Sequence, residues 1–391
     1  MAQHLLRLIE AIAALGAAAG AGYYLLCLWS ARSFLRDSRR QALPPFTPSV
    51  SILKPLRGTD PEIYESFRSH CQQDYPEYEL IFGVSDPEDP AIELVERLQR
   101  DFPQRSIRLM VCPKVLGSNM KVSNLVQMLP LAKYDYLIVN DSDIRVEPDY
   151  LRRVMRPFAD PKVGMVTCLY RGIAGSTLGS QLEAVGISTD FSAGVLAARQ
   201  IEGIRFALGS TLAFPRKSLE AIGGFQELVD YLADDFELGA RIARAGYEVR
   251  LSDVVVDHHL PDYSFDGFLQ HQLRWARSTR DSRKWGYTGV VLTFGLPWAL
   301  VAVLLSLGAA WSWALLALVA VLRFAMAIAV GQSVLHDAQV PRQIWLLPLR
   351  DVIAMLVWIG SFTGHTVAWR GDLFILEDGK LRPAQSSSNV A

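Results

Sequence analysis

Asp141 and Asp143 stand one residue apart at the end of an apolar run, Tyr136-Leu-Ile-Val-Asn140. Two carboxylates so spaced at the mouth of a buried strand offer hard oxygen ligands to Mg2+ or Mn2+, and a cation held there neutralises the diphosphate of a nucleotide. Taken alone, such a pair describes a solvated turn equally well. Further on, Ala233-Asp234-Asp235-Phe-Glu-Leu-Gly239 puts an acidic pair at the start of a helix-like stretch that stops at Gly246. There the helix dipole keeps a carboxylate ionised, while capping of the helix is the plainer use. His271-Gln-Leu-Arg274-Trp275 adds cations and an indole to a basic segment running into an apolar region, where a Trp-bearing interfacial helix is the plain alternative. His258 and His259 follow a Val-rich strand and read either as a further metal ligand or as loop histidines.

These residues need a scaffold, and residues 49–260 supply one. Ser49-Val-Ser-Ile-Leu53 is strand-like and follows a linker, 31–48, that is basic and then Pro-rich at Pro44, Pro45 and Pro48. A helix-compatible stretch follows, Asp60–Gln72, then a strand at Tyr78–Val84 and an amphipathic helix at Ala91–Phe102 with Ile92, Val95 and Leu98 on one face. Ser106–Val111 is a third strand, Lys121–Leu129 a short helix, and Tyr136–Asn140 a fourth strand. This alternation predicts an α/β domain with a mostly parallel sheet and helices on both faces. Ligands bind beyond the carboxyl ends of such strands. Lys54 and Arg57 follow the first strand, Asp86 the second, and Asp141 and Asp143 the fourth, so cations and carboxylates converge on one sheet edge. Gly209-Ser-Thr211 and Gly223-Gly-Phe225 are either turns or points of close backbone approach.

The chain has 391 residues, half of them apolar, and a net charge of −1, so bulk electrostatics gives no reason to expect a nucleic-acid partner. Its four cysteines are scattered, without zinc or disulfide spacing, which fits a reducing compartment. An apolar segment from Leu5 to Trp29 is long enough to span a bilayer within residues 1–30, and a signal peptide is the alternative. Arg32, Arg36, Arg39 and Arg40 come after it. From Val290 to Val330 the only charged residue is Arg323, and two spans joined near Trp311–Trp313 fit that length. A third apolar segment, Ile344–Trp369, either spans or lies in the interface, so residues 288–370 hold two or three membrane helices before a tail, 371–391. Arg274, Arg277, Arg280, Arg283 and Lys284, within the amphipathic segment 261–287, make the second flank of the middle domain positive as well. Both flanks predict a multi-pass integral membrane protein with its α/β domain in the cytoplasm.

An Asp after strand two, Asp-x-Asp after strand four, an acidic pair opening a helix and Arg-Trp before the membrane, in that order, resemble the inverting GT-A-type glycosyltransferases. The ceramide-glucosyltransferase-like family is the closer match. Ile81-Phe-Gly-Val-Ser-Asp-Pro-Glu-Asp-Pro90, Gly117-Ser-Asn-Met-Lys-Val-Ser-Asn-Leu125, Asn140-Asp-Ser-Asp-Ile144 and Trp369-Arg-Gly all resemble its motifs, over nearly the whole chain. Thr167-Cys-Leu-Tyr-Arg-Gly172 and Leu232-Ala-Asp-Asp235 lean towards bacterial hopanoid-associated members, and so towards a bacterial inner membrane. Two departures stand out. His271 occupies a position where the family has Gln or Arg, with Gln270 and Gln272 out of register, and the acidic pair is Asp-Asp where Glu-Asp is usual.

The resemblance implies a GT-A, Rossmann-like fold, a UDP-sugar donor, Mg2+ or Mn2+, and a lipid acceptor of the ceramide or hopanoid class, with glucose favoured as the sugar. It implies Asp143 as a direct metal ligand, Asp141 on the metal's water shell or the ribose, Asp86 on uracil or ribose, and Lys121 on uridine or phosphates. Asp235 becomes the general base, His271 and Arg274 diphosphate contacts, and Trp275 part of the acceptor pocket. A processive polysaccharide synthase needs a polar conduit, for which the nearly uncharged spans are poorly suited. A transporter or scaffold that only binds nucleotide leaves the acidic pair unexplained.

Overall fold

The computed structural model describes residues 2–40, 43–369 and 372–383. Arg370 and Gly371 of the Trp369-Arg-Gly run lie outside the described residues, as does 384–391. The chain forms two units. One comprises Met1–Arg40, Ala174–Ile201 and Asp262–Ala368, the other Gln41–Ile173, Glu202–Pro261 and Trp369–Ala391.

The second unit is built on an eight-stranded sheet. Its strands are β1 (Val50–Leu56), β2 (Tyr78–Val84), β3 (Ser106–Val111), β4 (Tyr136–Val139), β5 (Ile144–Arg145), β6 (Val163–Ile173), β7 (Leu212–Pro215) and β8 (Glu248–His259), ordered β3-β2-β1-β4-β7-β6-β8-β5. β3, β2, β1 and β4 are parallel neighbours, and β6 and β8 are parallel to each other. β7 runs antiparallel to β4 and β6, and β5 to β8. The sheet is therefore the mostly parallel one that the alternation predicts, with short antiparallel insertions past β4.

Burial explains the strand sequences. β1 and β2 are buried at every position and so read as apolar runs, with Lys54 as a notable exception in β1. β3 is a half-exposed edge, and its Arg108 reaches back to Glu79 of β2 at 2.5 Å, a charge that discourages edge pairing. Helices Met120–Met128 and Asp234–Arg244 supply Leu125, Met128, Leu238 and Ile242 to a core that also holds Leu53, Val139, Leu212 and Phe214. Both helices thus begin at the edge where β1 and β4 end.

The other unit is helical. Its first helix runs Ala2–Arg40, so Arg32, Arg36, Arg39 and Arg40 belong to the same rod as the apolar segment. Gly16 and Gly20, four residues apart, let that helix meet Gly295–Leu305 at backbone distance. A Cβ at Gly20 would stand 2.2 Å from the Cα of Gly295, and one at Gly16 2.7 Å from the Trp298 ring. Among the described residues three helices, Gln3–Arg40, Ala310–Val334 and Val340–Ser361, are long and apolar enough to cross a membrane, and Lys284–Thr293 with Gly295–Leu305 form a pair bent by 53°. The turn in the apolar run 290–330 falls at Leu307 and Gly308, both left-handed at φ 52° and 78°, ahead of Trp311 and Trp313. Past Ser361 the last apolar segment leaves the helix and ends in a strand, Thr366–Trp369.

Arg323 and Asp351 meet inside this unit. Arg323 donates to both carboxylate oxygens, Nε at 2.8 Å and Nη2 at 2.7 Å, and its Nη1 donates to the Thr189 carbonyl at 3.2 Å. The two side chains are buried, 1% and 6% exposed.

Candidate active site

Lys121 is the hub of the sheet edge. It sits in the first turn of Met120–Met128, whose N-cap, Asn119, accepts from the Val122 N–H through its side chain. From there its Nζ lies 2.8 Å from Asp141 Oδ1 and 3.1 Å from Asp234 Oδ2. Burial alone would lower the pKa of this ammonium, but Asp141, Asp234 and Asp235 outweigh it and hold it raised. One cation therefore joins the end of β4 to the start of Asp234–Arg244.

Asp235 sits beside this pair and is held differently. Its Oδ2 accepts from the Gly209 N–H at 2.7 Å and its Oδ1 from the Phe236 N–H at 2.8 Å. The helix dipole predicts a readily ionised carboxylate here. Burial, with Asp234 adjacent, overrides the dipole and pushes Asp235 up from the ordinary carboxylate range to about 6. It remains mostly ionised at neutral pH yet is more basic than a free carboxylate, which suits a proton acceptor.

The segment that meets Asp235 is fixed by close packing. A Cβ on Gly239, within the helix, would stand 2.3 Å from the Ala207 nitrogen, so the helix lies directly on the chain leading to Gly209. Phe206 stacks on Phe236 at 6.1 Å. At Gly209 itself a Cβ would come within 3.0 Å of Asp141 Oδ2 and 3.2 Å of Asp235 Oδ2. The sequence leaves Gly209 and Gly223-Gly224 as equivalent candidates, and the structure separates them. Gly223 and Gly224, at φ 89° and 83°, make a left-handed turn, whereas Gly209 lies between the two carboxylates.

On the other side of β4, Asp143 Oδ2 lies 3.0 Å from His258 Nε2. The register of β5 on β8, Ile144 opposite His258, brings them together. Burial alone would raise the Asp143 carboxyl, but His258 and Lys54 outweigh it and hold it lowered. Asp143 Oδ1 is buried and has no hydrogen-bond partner among the described residues. An acceptor so placed, beside an imidazole, fits a divalent cation with open positions. Among the described residues no three His, Cys, Asp or Glu gather into a complete cage, so further ligands have to come from a bound substrate or water. Lys54 donates to the Asp141 carbonyl at 3.0 Å, and burial draws its ammonium down to about 7 against the pull of Asp143 and Asp141.

Asp86 is exposed past β2, on the same edge but separated from β4 by β1. It accepts from the Glu88 N–H at 2.9 Å. Asp89 accepts from the Ala91 N–H at 2.9 Å, a local turn bond, and from the Gly58 N–H at 2.9 Å across the chain.

His271, Arg274 and Trp275 belong to the helical unit, on Phe265–Ser282. His271 is packed between Tyr263, stacked at 5.3 Å, and Trp275 at 5.2 Å. Its Nδ1 faces Glu183 Oε1 at 3.4 Å, within charge range but without a hydrogen bond. Gln272 donates to Glu183 at 2.7 Å and accepts from Arg350 at 2.8 Å. Sequence reasoning missed Glu183. The signal was there, a single carboxylate within Leu182-Glu183-Ala184-Val185-Gly186, buried to 1% exposure. Burial alone would raise Glu183, and His271, Arg350 and Gln272 outweigh it to leave it lowered.

Comparison with known proteins bears on the family and the fold. A ceramide glucosyltransferase of Caenorhabditis elegans, numbered 3, is 26% identical over 231 residues, 59% of this chain and 50% of that protein. The ceramide glucosyltransferase of Komagataella phaffii is 36% identical over 115 residues, 28% of this chain and 23% of that protein. The chain thus spans about half the length, or less, of the curated relatives it matches. A mannosyltransferase of Pyrobaculum calidifontis, solved in complex with GDP-Man and Mn2+, shares the fold with a TM-score of 0.57 at 21% identity, covering 91% of this chain and 99% of that one. The profile of Glycosyl transferase family 21 matches residues 12–382. The chain belongs to that family of sugar transferases, a ceramide-glucosyltransferase-like group of GT-A type.

Proposed function

We propose that this protein is a membrane-bound inverting glycosyltransferase that moves a sugar, glucose first among the candidates, from a UDP-sugar to the hydroxyl of a membrane lipid such as ceramide. The observation that carries the reading is Lys121 bridging Asp141 and Asp234, with Asp235 alongside on the Gly209 N–H. A phosphate-binding cation and a raised carboxylate at one sheet edge are what transfer from a nucleotide donor to an alcohol requires. The relatives named ceramide glucosyltransferases support the choice of sugar and lipid.

In this reading Asp86 contacts the uracil or ribose, Lys121 the uridine or phosphates, and Asp143 with His258 would hold Mg2+ or Mn2+, with Asp141 towards the ribose or the metal's water shell. When bound, such a cation neutralises charge on the departing diphosphate. Asp235 takes the proton from the lipid hydroxyl as its oxygen attacks the anomeric carbon, which inverts an α-linked donor to a β-linked product. The family motif assigns His271 and Arg274 to the diphosphate and Trp275 to the acceptor. The long apolar helices and the basic residues flanking the α/β domain support a multi-pass protein with that domain in the cytoplasm.

The test supplies membranes carrying the chain with labelled UDP-glucose or UDP-N-acetylglucosamine, Mg2+ or Mn2+, and ceramide, a hopanoid alcohol or native lipid extract. The expected product is an organic-extractable labelled lipid, formed best from UDP-glucose and ceramide. Label only in aqueous polymer overturns the reading in favour of a synthase, and a hopanoid product moves the acceptor class.

Two further outcomes follow. The base works only as carboxylate, and its pKa is raised, so kcat is full above about pH 7 and is lost as pH falls through about 6. An acid limb lying below pH 4.5 in the kcat profile would remove Asp235 from the role. Gly209→Ala, which pushes a methyl between Asp141 and Asp235, lowers kcat by about 10-fold to 10²-fold with little change in thermal midpoint. Initial rates and a melting curve on the same preparation check it.

A further inference from the structure

We infer that the hairpin formed by Asp372–Glu377 and Lys380–Pro383 is a positioning clamp for the Lys121 turn and the acidic pair, with Tyr231 as the residue it grips. The inference rests on the catalytic roles proposed above for Lys121 and Asp235.

The hairpin is well specified. Glu377 pairs with Lys380 around a two-residue turn, and Asp378 and Gly379 both take positive φ, 49° and 80°, which Asp-Gly adopts readily. Its edge then pairs with another piece of chain. The Leu381 N–H donates to the Asp230 carbonyl at 2.7 Å, the Leu232 N–H donates to the Gly379 carbonyl at 3.1 Å, and Tyr231 lies opposite Lys380 in an antiparallel bridge. The Tyr231 ring has the Arg241 guanidinium at 5.0 Å and the Lys380 ammonium at 5.3 Å. A Cβ on Gly379 would come within 3.3 Å of that ring, so the glycine lets the ring lie against the turn.

The gripped segment in turn holds the active-site turn. The Asn119 N–H donates to the Val229 carbonyl at 2.7 Å, and the Ser118 N–H donates to Asp230 Oδ1 at 2.9 Å. A Cβ on Gly117 would stand 2.6 Å from Val229, which leaves no room for a side chain there. Asn119 is fully buried, and its amide donates to the Tyr231 carbonyl at 2.7 Å and to Asp234 Oδ1 at 3.3 Å while its carbonyl oxygen caps the Lys121 helix. A single asparagine therefore joins the clamped segment, the start of the Lys121 helix and the carboxylate that pairs with Lys121. Nothing in the hairpin itself carries reacting chemistry. It acts by fixing residues 229–232, two residues ahead of Asp234.

The test compares full-length wild type, Tyr231→Ala and Tyr231→Phe in detergent. Amide hydrogen exchange is read without substrate, and kcat and donor KM are read in the lipid assay. Tyr231→Ala is expected to speed exchange at 117–121 and 229–236 by at least about tenfold with β1–β4 unchanged. It is expected to lower kcat by about 10-fold to 10²-fold with donor KM altered far less. Tyr231→Phe, which keeps the ring between the two cations, restores both. Unchanged exchange in Tyr231→Ala overturns the clamp. So does exchange raised equally across β1–β4, wild-type kcat despite loosened segments, or a Phe variant as damaged as the Ala variant. Should the wild type transfer no sugar with any donor and lipid, the functional reading fails, and the exchange result alone decides the clamp.

Discussion

Asp235→Asn reduces sugar transfer by about 10²-fold to 10⁴-fold in kcat while the protein stays folded. Asparagine keeps the shape and one oxygen that can still accept the Gly209 N–H, so the contact at 2.7 Å survives. What disappears is the raised carboxylate assigned to take the acceptor's proton. Donor binding is expected to change little, because Lys121 is ion-paired with Asp141 and Asp234 at 2.8 and 3.1 Å and feels Asp235 only through its charge. Asp234→Asn is the informative contrast. It weakens the Lys121 hub and the Asn119 contact, so its loss should appear mainly in donor KM. Saturating kinetics, UDP titration and a melting curve on both variants separate the two roles. An Asp235→Asn enzyme within tenfold of wild-type kcat would leave the chain without its base.

Asp351→Ala destabilises the helical unit by about 3–5 kcal/mol. It strips Arg323 of both carboxylate bonds and leaves a guanidinium that is 1% exposed with only the Thr189 carbonyl and hydroxyl, at 3.2 and 3.5 Å, as acceptors among the described residues. The pair as a whole is worth far less than that loss, since two charges removed together leave nothing uncompensated. The double replacement Arg323→Met with Asp351→Leu is therefore expected to recover most of the stability. Unfolding of the three proteins in one detergent measures this. If the double variant is as unstable as the single one, packing around the pair matters and its charge does not.

The parallel half of the sheet is legible because β1, β2 and β4 are buried and read as apolar runs, while β3, the half-exposed edge, stands between clear turn and helix signals. Tyr78–Val84 and Ser106–Val111 can be bounded to the residue from their apolar runs, and Tyr136–Val139 to within one. Asp86, Asp141 and Asp143 stand out as candidates for the same reason, as carboxylates that closely follow such a run. β7 has no such signal. Its four residues are all buried between β4 and β6, too short to carry a period. Pairings across the chain are equally hidden. Asp143 meets His258, 115 residues away, only because of the β5–β8 register, and Asn119 meets Asp234 at the same separation. Glu183 announces a buried partner but cannot say that it is His271 and Gln272. The pKa of Asp235 runs against its helix position, because local sequence reports the dipole and only the assembled recess reports the burial.

Arg323 and Asp351 lie 28 residues apart on successive apolar helices. In the proposed membrane reading the first of these helices would carry a positive charge that lipid solvates poorly, with its counter-charge 28 residues further along the chain. The pair would then let the two helices settle in the bilayer together, as a hairpin whose buried charges cancel.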